Sequence, residues 1–223
     1  MGVYIKRITL SILCAITSPL IYSMQEDPKN LIIKNFLEKE DGGVLAIVGP
    51  MFAGKTSKLI EILKFLGNNA SIFNHTFDIQ RCGEKNQIKT HDNKTYVAIS
   101  IDSKEFKGLS TDKDYLLFDE GQFYDTEAIC ELLLDLVNKR KKVIIAAVDM
   151  TFEGLPFGAT PGICAIADEV IKLKAQCYIC KKEASYTKRL IEDKNTIVIG
   201  GEEKYQPVCS IHFFKQANLD KLK

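Results

Sequence analysis

The chain has almost no excess of charge of either sign. Its 223 residues carry 30 Lys and Arg against 29 Asp and Glu, a formal net charge of +1. No global field therefore argues for DNA or an acidic membrane surface as partner. Internal repeats and low-complexity segments are also missing, so the chain reads as neither a repeat array nor a biased tail. A disulfide framework is missing too. The seven cysteines are odd in number and unevenly spaced. Cys14, Cys82, Cys130 and Cys164 stand alone and read as small buried hydrophobes. The pattern suits a reducing compartment with a metal site.

A long uninterrupted apolar run is the last absence. The nearest approach is "ITLSILCAITSPLIYS", which follows Lys6 and Arg7. Ser, Thr and Pro interrupt it, so it is too short and polar for a membrane span and has instead the shape of a secretory signal. Lys6 also breaks the myristoylation pattern. Met24 offers a second start, which would leave residues 1–23 outside the working protein. What remains is ordinary for a globular chain, with 46% hydrophobic and 26% charged residues. Its length suits one domain, or one domain with a small appendage.

Short apolar runs alternate with helical patterns after the turn at Asp41-Gly42-Gly43. "VLAIV" reads as a buried parallel strand. In "SKLIEILKFL", Leu59, Ile62, Leu63 and Leu66 fall at helical spacing, with Gly67 as the stop. "ASIFN", "YLLFDE" and "KVIIAAVDM" are further strands. "TEAICELLLDLVNKRKK" is a helix with Thr126 as its N-cap and basic residues in its last turn. Alternation of this kind predicts an α/β fold: a parallel sheet with helices on both faces. Expected boundaries are an N-terminal extension over 1–23, a lead-in over 24–42, a nucleotide-binding domain over 43–173, a metal-binding unit over 174–217 and a tail over 218–223.

Between the first strand and its helix stands "GPMFAGKTS". In this spacing the glycines let successive backbone N–H groups converge on phosphate oxygens, and the helix adds its positive N-terminal end. Gly49, Pro50, Met51, Phe52, Ala53 and Gly54 form the loop; Lys55 would pair with β/γ oxygens and Thr56 would ligate Mg²⁺. "LLFDEGQF" supplies the partner element. Asp119, an acid at a strand end, is placed to hold the Mg²⁺ of bound ATP, and Glu120 to take a proton from an attacking hydroxyl or water. Two readings follow. One is a small-molecule kinase. The other is a small P-loop ATPase acting on nucleic acid, for whose further machinery this chain has little room.

Cys177-x2-Cys180 and Cys209-x2-His212 are half-sites separated by residues 181–208. Together they offer four ligands to one tetrahedral Zn²⁺, which leaves no open position and makes the ion structural. His75 and His91 are not needed there and read as ordinary histidines. The metal would tie the base of the long charged segment between the half-sites, offsetting its closure entropy.

The residues resemble the thymidine kinase family of the zinc-containing type found in cells and poxviruses. The resemblance runs from about Gly43 to Ala217 and rests on "GPMFAGKT", "DEGQF", "TFEGLPFG", "KLKAQCYICKKEASYTKRL" and "IGGEEKYQPVC". It implies ATP-dependent phosphorylation of the thymidine 5′-hydroxyl by a homotetramer. ATP-dependent chemistry needs the cytosol, so a cytoplasmic protein is expected, with no nucleic-acid partner and no stable membrane association. A genuine signal peptide would instead imply export. The resemblance makes Glu120 the general base and sets Gln122 beside the nucleotide. It puts Met51, Phe123, Phe152, Phe157, Thr187, Val198, Gly200 and Tyr205 around the thymidine. His212 departs from the more usual Cys, and Met150 from a smaller residue beside the base pocket. Asp78 and Arg81 are one residue further apart than usual, which puts their phosphate or sugar contacts in question.

Overall fold

The computed structural model describes residues 27–78, 86–89, 95–109, 112–193, 195, 197–198 and 200–220. The extension over residues 1–23, with Cys14, and also Cys82, Arg81, His91 and residues 221–223 lie outside the described residues.

The first described element is helix α1 (Pro28–Glu38). Asp27 caps it by accepting from the Lys29 N–H, and Pro28 sits in the first turn, where its missing N–H costs nothing. Ile33, Phe36 and Leu37 are buried. The lead-in is therefore a packed helix. Strand β1 (Gly43–Gly49) is buried along its whole length, and α2 (Lys55–Leu66) follows. Gly67 ends α2 at φ 57°, its N–H donating to the Leu63 carbonyl.

The chain continues through β2 (Ala70–His75), an antiparallel pair β3 (Gln87–Lys89) and β4 (Thr95–Val97), β5 (Ile99–Ile101) and β6 (Tyr115–Asp119). Helix α3 (Thr126–Asn138) begins one residue earlier than its sequence suggested. Asp125, not Thr126, is the N-cap, because its carboxylate accepts from the Ala128 N–H. The helix also stops at Asn138, so the basic run from Lys139 follows it instead of filling its last turn. Then come β7 (Lys142–Val148), α4 (Thr160–Ile166) and β8 (Glu169–Lys172).

Six strands form one sheet in the order β5-β2-β6-β7-β1-β8, every neighbouring pair parallel. Alternate residues of each strand feed opposite faces. Leu45 and Ile47 pack with Leu59 and Ile62 of α2 and with Ile33 and Phe36 of α1. Val44, Ala46 and Val48 pack with Ile129, Leu133 and Leu136 of α3 and Ile163 of α4. Both faces are covered, which is why these strands read as continuous apolar runs.

Beyond β8 the chain builds a smaller unit. Pair β9 (Ala175–Gln176) and β10 (Glu183–Ala184) is followed by pair β11 (Tyr186–Arg189) and β12 (Tyr205–Val208), then by α5 (Ser210–Asp220). Its core of Ala175, Cys177, Ala184, Val208 and Cys209 packs against Ala53 of the phosphate loop. Helix α5 runs past Ala217, where the unit was expected to end.

Candidate active site

The loop from Gly49 to Gly54 leaves the carboxyl end of β1 and enters α2. Gly49 is required by a close approach: a Cβ there would lie 2.4 Å from the Leu173 carbonyl oxygen. Gly54 is required by conformation, because it caps α2 at φ 79° with open space around it. Phe52 also holds a positive φ of 66°. The result is a tight turn leading into a helix N-terminus, the arrangement that receives phosphate. Lys55 Nζ donates to the Pro50 carbonyl at 2.8 Å, so its ammonium is folded over the loop. Thr56 Oγ1 donates to Asp119 Oδ2 at 2.8 Å.

Asp119 is buried at the end of β6 and also accepts from the Glu120 N–H at 3.0 Å. Strand β7 lies between β1 and β6 in the sheet, so the loop and this acid converge across an intervening strand. Glu120 sits in the left-handed region at φ 56°, an uncommon and costly position for a residue with a Cβ. Gln122 holds its carboxylate. The Gln122 amide donates to Glu120 Oε2 at 2.5 Å and accepts from the Val148 N–H at 2.8 Å. Gln122 was expected beside the nucleotide; the structure gives both ends of its amide to protein groups.

One cleft, with an empty volume of about 1010 Å³ including its solvent mouth, joins these groups to an apolar wall. Met51, Phe52, Gly54, Lys55 and Thr56 line it from the loop, with Asp119, Glu120 and Gln122 beside them. Phe123, Phe152, Phe157, Thr187, Val198, Gly200 and Tyr205 form the far side. Phe123 meets Phe157 edge-on at 5.7 Å between centroids. Thr187 Oγ1 accepts from the Met51 N–H at 3.0 Å, and the Tyr205 hydroxyl donates to the Val198 carbonyl at 2.7 Å. Gly49, Pro50 and Ala53 do not line the cleft; they shape the loop behind it. Met150 does line it. Asp78 ends a short 3-10 turn beside β2, and its partner Arg81 lies outside the described residues.

Sequence reasoning missed Phe77, Ala146, Ala147, Val148, Thr151 and Ile197, all of which line the cleft. The alanines and Val148 read as core because they belong to a buried strand, and β7 faces the cleft only because it separates β1 from β6. His75 is buried and packs against Phe77, Phe123 and Tyr124 at 5.1, 5.9 and 4.8 Å between centroids. Burial lowers its pKa, with Asp102 and Glu120 acting in the opposite sense. Its Nδ1 accepts from the Phe77 N–H at 3.1 Å, which fixes the neutral tautomer with the proton on Nε2.

Cys177, Cys180, Cys209 and His212 bring four ligand atoms within 4.8 Å of one another. Cys180 and Cys209 sulfurs lie 3.8 Å apart, and His212 Nδ1 lies 3.2 Å from Cys209 Sγ and 3.5 Å from Cys177 Sγ. A tetrahedron with metal–sulfur bonds of about 2.3 Å has sulfur–sulfur edges of about 3.8 Å, so the spacing fits one ion. Burial raises the Cys177 pKa, but N–H groups of Cys180, Cys209 and Ile179 and the His212 ring outweigh it and bring it to about 6. The Cys180 pKa is raised, with both neighbouring sulfurs acting in that sense, so Cys177 is the thiol most readily ionised; the four residues can hold a metal ion.

The parallel sheet, the phosphate loop and the acids at the end of β6 define a P-loop nucleotide-binding α/β protein with an attached Cys/His metal unit. A family model described as thymidine kinase matches residues 42–213. The thymidine kinase of Bacteroides fragilis is 36% identical over 172 residues, spanning 75% of this chain and 85% of its own. That of Yaba monkey tumor virus is 35% identical over 187 residues, spanning 82% of this chain and 100% of its own. The chain belongs to the thymidine kinase family. Among solved structures, domain III of the Thermotoga maritima replication initiation protein DnaA aligns over 66% of this chain and 63% of its own, at TM-score 0.40 and 15% identity. That likeness is too loose to bear on function.

Proposed function

We propose that the chain transfers the γ-phosphate of ATP to the 5′-hydroxyl of thymidine. One observation carries this reading: a phosphate loop, a carboxylate at Glu120 and an apolar aromatic slot open into the same cleft. A flat methylated base suits a slot with few polar side chains. Family membership supports the same substrate pair.

In the proposed reaction the loop N–H groups hold the ATP phosphates, and Lys55 leaves the Pro50 carbonyl to meet the transferring phosphoryl group. Mg²⁺ held by Thr56 and Asp119 would neutralise charge on the phosphate oxygens. Glu120 accepts the 5′-hydroxyl proton while that oxygen bonds to the γ-phosphorus and the β–γ bridging bond breaks, leaving ADP. Gln122 keeps the Glu120 carboxylate aimed. Zn²⁺ is the ion best suited to three thiolates and an imidazole, and its part is structural. We infer a homotetramer in the cytoplasm, where ATP is supplied and thiols stay reduced. Among the described residues no helix is long and apolar enough to cross a membrane.

An assay with ATP, Mg²⁺ and a panel of nucleosides tests this. Transfer to thymidine is expected. ATP hydrolysis stimulated by DNA or RNA, with no nucleoside product, would favour the nucleic-acid ATPase instead.

A further inference from the structure

Strand β11 carries Thr187 and Arg189 two residues apart, so both leave the same face. Thr187 is tied to the phosphate loop through Met51. Arg189 makes a different set of contacts. Its guanidinium carbon lies 3.5 Å from the centroid of the Phe152 ring. Its two terminal nitrogens donate to the carbonyls of Asn195 and Asp193 at 2.5 and 2.6 Å. Phe152 is a wall of the cleft, and Asp193 and Asn195 begin the segment whose Ile197, Val198 and Gly200 line it from the other side. That segment is closed at its base by the Leu190 N–H donating to the Lys204 carbonyl at 2.8 Å.

We infer that Arg189 is a positioning residue for the nucleoside site, joining the Phe152 wall to the segment from Leu190 to Lys204. This rests on the thymidine kinase reading above. Only a planar fork does both jobs at once. It lies flat on a ring and donates in its own plane to two carbonyls, whereas an ammonium offers a point charge without that plane. Arg189 is not among the residues lining the cleft, so it acts through Phe152 and the segment, not on the reacting atoms.

The test compares Arg189→Gln, Arg189→Lys and Phe152→Leu with the unaltered protein, by steady-state kinetics and by hydrogen exchange of the ligand-free chain. Arg189→Gln is expected to raise the thymidine KM about tenfold, equivalent to about 1.4 kcal/mol. The kcat and the ATP KM should stay within about twofold, because the phosphate loop keeps its own contacts. Arg189→Lys should fall between the two proteins. Amides between Leu190 and Lys204 should exchange faster in Arg189→Gln, while those of β1 and β7 keep their protection. A fall in kcat at unchanged thymidine KM overturns the inference, and so do unchanged amides. If Arg189→Gln does not fold, exchange in Phe152→Leu decides: faster amides between Leu190 and Lys204 support the inference, and unchanged amides overturn it. If the unaltered protein phosphorylates no nucleoside, the functional reading fails alone, and faster exchange between Leu190 and Lys204 still supports the positioning role.

Discussion

Glu120 and Lys55 divide the proposed chemistry between them, and each can be removed without disturbing the core. Glu120→Gln keeps shape and hydrogen bonding but cannot accept a proton. Positioned acid–base groups contribute ~10²–10⁴-fold, so kcat should fall by that range, about 3–5 kcal/mol in transition-state stabilisation. Thymidine and ATP should still bind; a kcat within a few-fold of the unaltered protein would remove Glu120 from the mechanism. Lys55→Ala should lower turnover by about 10²-fold or more, since a positioned charge at the transferring phosphoryl group is lost. Circular dichroism of that variant should match the parent, because Lys55 contributes no side chain to either core cluster.

His75 supplies a residue-scale prediction of stability. Its pKa is lowered by burial. The unfolded chain therefore binds a proton more readily than the folded one as pH falls through the ordinary histidine range. Its contribution is fully present above the unfolded value near 6.5, and is lost as pH drops from there toward the folded value. The urea midpoint should fall between pH 7 and pH 5, and His75→Phe should flatten that dependence. An equal slope in both proteins would assign the loss to other groups. Little of this residue's setting was legible beforehand. A lone histidine in "ASIFNHTF" carries no sign that Phe123 and Tyr124 will join the neighbouring Phe77 in enclosing it, because those two residues stand nearly fifty positions away.

Elements show a different balance. The helix patterns and strand runs were readable because the period of apolar residues is a local property. Thr126 was misjudged as a cap because Asp125 and Thr126 both cap well, and one residue of register decides between them. Two elements have contacts that set expected outcomes. Helix α1 ends against the buried Lys142 of β7, whose ammonium donates to the Leu37 carbonyl at 2.5 Å and also to the Lys39 carbonyl. Lys142→Met leaves both carbonyls without that donor and should cost roughly 1–3 kcal/mol, read from the urea midpoint. No change in midpoint would mean water replaces the lysine at no cost. In the metal unit, Cys177→Ser or Cys209→Ser should abolish stoichiometric metal, about one ion per chain in the parent. Amides of β9 to β12 should then exchange faster than those of β1, since metal binding is coupled to folding. Full metal content in either variant would discard the four-ligand site.

At the scale of the whole molecule, two units share one site. The metal unit packs against Ala53, and its β11 reaches Met51, so the phosphate loop is held from behind by a second core. The N-terminal region divides sharply by the same reasoning. A chain shortened to begin at Met24 should keep its fold and activity, because every residue named in the site follows Gly43. A chain begun at Gly42 loses Ile33, Phe36 and Leu37 from the core. At about 1.5–3 kcal/mol for each buried side chain, the loss is comparable with the total stability of a domain. It should be recovered as insoluble or unfolded protein. A stable, active protein from that shortened chain would contradict the place of α1 in the core.

The sequence by itself determined the phosphate loop, the acids at the end of β6, the two Cys/His half-sites and the alternation of strands and helices. Each is carried by residues within a few positions of one another, where backbone conformation and side-chain period are set by neighbours in the chain. Only the tertiary structure decided that β7 separates β1 from β6 and so turns Ala146, Ala147 and Val148 into cleft wall. It alone decided that the Val148 N–H holds Gln122, that Phe123 and Tyr124 enclose His75, and that Arg189 lies on Phe152. These depend on strand order and on pairings across long stretches of chain. Such pairings are chosen by the packing of both sheet faces together, and no local pattern records that choice.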